Sequence, residues 1–126
     1  MTRGNVIEFR ALVDVTLRLP NQPDIAIEFV VDTGFEGALT MPRHAIIALG
    51  LPYFERIPSR LADGTRRETE AYIATIMWEG REVEVAVLAM GHRALLGTAL
   101  LEGKRLCIDF RDGGKVRIED CPEEEL

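Results

Sequence analysis

The sequence predicts an all-β domain carrying one or two short helices, on three observations. Apolar and polar residues alternate with a period of two, the signature of half-buried strands. Ile7, Phe9, Ala11, Val13, Val15, Leu17 and Leu19 form one such series; Ile25, Ile27, Phe29 and Val31 form the next. Turn-forming clusters such as Pro20-Asn21-Gln22-Pro23, Asp63-Gly64 and Asp112-Gly113-Gly114 punctuate the alternating segments. Only Arg43–Leu49 and the few residues after Gly97 have the look of helix.

The first series predicts a long strand from Ile7 to Leu19, or two strands with a bend, in which Leu12 breaks the pattern. After the proline-flanked break, Ile25–Val31 returns as the second arm of a hairpin. Ala38–Met41 is a short strand. Pro42 suits a helix start, where its missing N–H is not needed, and Gly50 followed by Pro52 ends the helix. His44 is then a surface residue of that helix.

Ile57–Leu61 and Arg67–Trp78 flank the Ala62-Asp63-Gly64-Thr65 turn as a second hairpin. Arg66, Arg67, Glu68, Thr69 and Glu70 make it polar near its tip, so it projects from the body. Val83–Ala89 follows the Glu79-Gly80 turn. After Gly91-His92-Arg93 comes Ala94-Leu95-Leu96-Gly97 and a short helix. In the last hairpin, pairing Phe110 with Val116 and Ile108 with Ile118 puts all the apolar side chains on one face. That register sets Cys107 opposite Glu119 and only diagonal to Cys121, too far for an easy disulfide.

The chain is organised around Phe29-Val30-Val31-Asp32-Thr33-Gly34-Phe35-Glu36-Gly37-Ala38-Leu39-Thr40-Met41-Pro42. An apolar strand carries a carboxylate to its end and hands it to a turn. Asp32 is costly to bury alone as an anion, so it needs hydrogen-bond donors or a shared charge. Thr33 can donate and accept beside it. Gly34 permits unusual backbone angles and close approach of another backbone. An Asp-Thr-Gly tripeptide by itself is also an ordinary Asx turn. Neither Asp63-Gly64-Thr65 nor Asp112-Gly113-Gly114 follows an apolar strand, so there is one such loop per chain.

With its flanking residues, this stretch resembles the active-site loop of the retropepsin-like aspartic proteases, and most of all the small bacterial clan AA group. Phe35 after Asp-Thr-Gly fits that bacterial group and departs from the viral-type pattern, which has Ala or Ser there. The resemblance implies a retropepsin-like barrel, one lobe per chain, with its core over about residues 7–119 and an acidic tail at 120–126. It implies Asp32 as the catalytic residue, with Thr33, Gly34 and Phe35 in the active-site loop. It makes Ala62, Asp63 and Gly64 a flap over the substrate, and Leu95, Leu96 and Gly97 an element threading beside the Asp loop.

Peptide hydrolysis needs a base for the water and an acid for the leaving amine. Two apposed carboxylates sharing a proton supply both. One loop in one short domain then requires a second copy across a two-fold axis. The implied function is an aspartic endopeptidase acting as a homodimer on a peptide or protein substrate. The alternative is a retropepsin-like binding or dimerisation module without useful catalysis.

Composition narrows the rest. The 126 residues suit one domain, and the net charge of −6 argues against nucleic acid, which calls for a basic stripe. No apolar run reaches membrane length and no signal-peptide core opens the chain, so a cytoplasmic setting is expected. No cofactor is expected. No metal is expected either, because His44 and His92 lie near neither cysteine.

Overall fold

The computed structural model describes residues 1–60 and 63–123. Among the described residues, ten strands run in the order β1 (Thr2–Ile7), β2 (Arg10–Arg18), β3 (Ile25–Val31), β4 (Leu39–Met41), β5 (Tyr53–Arg60), β6 (Arg66–Trp78), β7 (Arg81–Ala89), β8 (Leu95–Leu96), β9 (Lys104–Ile108) and β10 (Lys115–Asp120). Helix α1 (Arg43–Leu49) follows β4, and a single 3₁₀ turn (Thr98–Leu100) follows β8.

The strands form one sheet in the order β5-β6-β7-β4-β8-β3-β2-β1-β10-β9. A further antiparallel pairing, Thr16↔Met77 to Arg18↔Thr75, joins β2 to β6 and curls the sheet onto itself. The closed ring is β6-β7-β4-β8-β3-β2, and each of its strands sends one wholly buried side chain inward. These are Ile76, Val87, Leu39, Leu96, Phe29 and Leu17. Ile46 of α1 closes one end of this core. Val6, Val116 and Ile118 extend it beneath β1 and β10.

The β2–β3 hairpin forms with Val13 opposite Phe29 and Val15 opposite Ile27, so the odd positions share the buried face. Helix α1 has the expected bounds. Pro42 stands at its N-cap, where its carbonyl accepts from Ala45 and Ile46, and Gly50 closes it with φ +70°. His44 is exposed. Among the described residues, no helix is long and apolar enough to cross a membrane.

Two expectations change. Of the two readings of the first series, the two-strand one holds, with a tight hairpin in place of a bend, because Glu8 and Phe9 take φ of +49° and +67° and form a two-residue turn. Val6 becomes the buried residue of β1, while Ile7 is half-exposed and Phe9 is 91% exposed. The last hairpin is shifted by two residues: Val116 pairs with Ile108 and Ile118 with Leu106. Phe110 leaves the strand and is 65% exposed. The cause is a wider loop pinned to β1, in which Gly113 donates to Val6 O and Val6 donates to Gly114 O. A two-residue slip keeps every side chain on its face, so alternation alone did not distinguish the registers. Cys107 now faces Arg117, and both cysteines are free.

Candidate active site

Three chain segments meet at the end of β3. Strand β8 lies parallel to β3, with Val30 level with Leu95 and Val31 level with Leu96. On its other side β8 runs antiparallel to β4, pairing Leu39 with Leu96. The short β8 thus lies between the strand that enters the Asp loop and the strand that leaves it. Thr40, the buried polar residue of this region, locks the arrangement: its hydroxyl accepts from Leu95 N–H at 3.2 Å and donates to Arg93 O at 3.5 Å. Thr40 was not among the residues anticipated from sequence; its signal was a lone hydroxyl within the apolar run Leu39-Thr40-Met41.

Asp32 follows directly. Its N–H donates to Leu96 O at 2.9 Å, and its side chain is half-buried. Gly34 N–H donates to Asp32 Oδ1 at 2.9 Å, and Phe35 N–H donates to Asp32 O at 3.1 Å. The loop is therefore an Asx turn, and the turn fixes one carboxylate oxygen. Among the described residues Asp32 forms no ion pair. Thr33 and Gly34 are exposed.

The far side of the loop rests on Gly97. Thr98 N–H donates to Phe35 O at 2.8 Å, Gly97 N–H to Ala38 O at 2.8 Å, and Ala99 N–H to Gly37 O at 3.2 Å. A Cβ at Gly97 would lie 2.2 Å from Gly37 O and 2.5 Å from the Phe35 ring. This is the close backbone approach that sequence assigns to Gly34. Gly34 itself is less crowded, its nearest neighbour to a Cβ being Asp32 Oδ1 at 3.2 Å, and its φ is not in the left-handed region. The Phe35 ring also covers Gly37, where a Cβ would meet it at 2.5 Å. Phe35 thus fills the gap that the two glycines leave.

Asp63 and Gly64 sit in the turn of the β5–β6 hairpin, both exposed, with Gly64 at φ +85°. Asp63 accepts from the hydroxyl and then the backbone N–H of Thr65, which holds its carboxyl below the ordinary carboxylate range. Ala62 lies outside the described residues. The structure thus brings Asp32, Thr33, Gly34 and Phe35 together with Leu95, Leu96 and Gly97. Among the described residues, no hydrogen bond or ion pair joins the hairpin turn to that group.

No family model matches the sequence, and no curated protein does. Among solved structures, the chain is similar to the EIAV protease complexed with the inhibitor HBY-793. The TM-score is 0.54 at 19% identity, over 75% of this chain and 88% of that one. Identity this low speaks for architecture only. Strand order, the β8 thread and this likeness agree on one conclusion: the domain has an all-β, retropepsin-like fold.

Proposed function

We propose that this chain is half of a homodimeric aspartic endopeptidase of the small bacterial clan AA kind. Its support is the placement of Asp32 at the end of a core strand, with one oxygen fixed by Gly34 N–H and no cation paired to it among the described residues. A carboxylate so placed is available to a second one. The retropepsin-like fold, with one Asp loop per chain, supplies the context.

In the assembled pair, the two Asp32 carboxylates approach across the two-fold axis and share one proton. The shared proton is the established chemistry of aspartic proteases. The ionised partner accepts a proton from water as it attacks the peptide carbonyl. The protonated partner donates toward the carbonyl oxygen, and the proton taken from water passes to the leaving amine. The main-chain bonds of Asp32 to Leu96 and Phe35 hold each loop and the Gly34 N–H holds one carboxylate oxygen, which is what positioning requires. The β5–β6 hairpin, with Asp63 and Gly64 at its turn, folds over the bound peptide and excludes water.

The test compares the parent with Asp32→Asn, both folded, on a diverse peptide library from acid to neutral pH. Cleavage should fall by about three orders of magnitude in the variant. Equal cleavage by both would remove Asp32 from the chemistry. Cleavage by neither would favour the binding-module alternative.

A further inference from the structure

The outer face of the sheet carries an ordered row of four charges, one on each of four adjacent strands. Glu28 on β3 is level with Asp14 on β2. One step beyond the pair Gly4↔Val13, Asp14 is level with Arg3 on β1. Arg3 is level with Arg117 on β10. The row therefore runs acid, acid, base, base. All four side chains are exposed, and none forms an ion pair among the described residues. Arg3, Asp14 and Glu28 line one concavity of about 150 Å³, and Arg3 and Arg117 line another of about 400 Å³.

Within one chain this order is unfavourable. Like charges directly opposite on neighbouring strands repel, and two of the three neighbouring pairs in the row are like pairs. A partner bearing the reversed order would turn each repulsion into attraction. The chain supplies that partner. A two-fold axis lying in the plane of the face, parallel to the strands and midway between β1 and β2, turns the row end for end. Asp14 then meets the second copy's Arg3, and Glu28 meets its Arg117, each pair occurring twice. An in-plane axis across the strands would instead set like on like. The charges thus select one orientation.

We propose that this face is a self-complementary docking surface for a second copy of the chain. It is distinct from the contact that would bring two Asp32 loops together, and it does not depend on catalysis. Flanking the row, half-buried Leu12 and Val30 lie level with each other and give the contact an apolar margin. Interfaces of this kind take specificity and salt sensitivity from their charges.

Sedimentation velocity of the whole chain, read together with peptide cleavage or fold-specific melting, tests the proposal. The parent should show an association step that weakens between roughly 50 and 500 mM salt. Glu28→Arg alone, or Arg117→Glu alone, should weaken that step by about tenfold or more, because each sets like charges together in both copies. Glu28→Arg combined with Arg117→Glu should restore it, since the row again complements itself. Melting of the monomer should not follow this pattern. Single swaps that leave association unchanged, or a double swap as weak as the singles, would overturn the proposal. Cleavage per chain retained by Glu28→Arg while its salt-sensitive step is weakened would separate this face from the Asp32 contact.

Discussion

The main-chain N–H of Asp32 donates to the carbonyl of Leu96 at 2.9 Å, across 64 residues of sequence. That bond ties the loop that presents the carboxylate to the short strand threading past it. Everything proposed for the site depends on the two segments staying in this contact.

Gly97 is where the contact is tightest, so Gly97→Ala should disrupt both the loop and the fold. Its methyl group would have to displace backbone oxygens of Gly37 and Phe35. Urea unfolding should show a loss of about 2–4 kcal/mol. Gly34→Ala meets only the Asp32 carboxylate. It should cost less than about 1 kcal/mol in stability while impairing cleavage.

Gly64 tests the hairpin turn. At φ +85° a β-branched residue is strained, yet nothing lies within 4 Å of the added Cβ. Gly64→Val should cost about 1–2 kcal/mol of local backbone strain. Turnover should fall further than stability, and hydrogen exchange at the turn should slow when a peptide is bound. Equal protection with and without peptide would contradict a closing role.

The Arg43–Glu70 pair predicts an acid dependence. Arg43 Nε donates to Glu70 Oε1 at 2.8 Å, and this hydrogen bond holds Glu70 below the ordinary carboxylate range. A depressed folded-state pKa adds stability above the unfolded value and loses it as pH falls through the folded value. The pair is exposed and screened, so the effect is small. Arg43→Gln should lower Tm slightly near neutral pH, and the difference should vanish once acid has protonated Glu70. Thermal melts across that range check it.

The cysteines predict indifference to reductant. Cys107 faces Arg117, whereas Cys121 donates its N–H to Gly103 O, four positions further along that edge. The separation of about 13 Å along the strand exceeds disulfide reach. Melting with and without reductant should coincide.

Much of this fold was legible because strand alternation is a burial signal. The odd positions Val13, Val15, Leu17 and Phe29 and the cap at Gly50 all follow from local chemistry. The Glu8-Phe9 turn was hidden because neither residue favours positive φ; the hairpin imposes it. The register of the last hairpin was hidden because Gly113 and Gly114 bond to Val6, a residue more than a hundred positions away. At the site, Asp32 and the β8 thread stood out by residue type and order. The lone hydroxyl in Leu39-Thr40-Met41 marked Thr40 but not its distant partners Arg93 and Leu95, and the Phe35 ring over Gly97 likewise joins segments far apart in sequence.

The central claim is that two chains share one catalytic pair. Mixing tests it most directly: a fixed amount of parent is equilibrated with increasing Asp32→Asn, and peptide cleavage is measured at each ratio. Mixed dimers hold one carboxylate and one amide, so cleavage should decline steadily toward zero as the variant captures parent chains. Cleavage that stays constant per parent chain through a large excess of associated Asp32→Asn would contradict the shared pair.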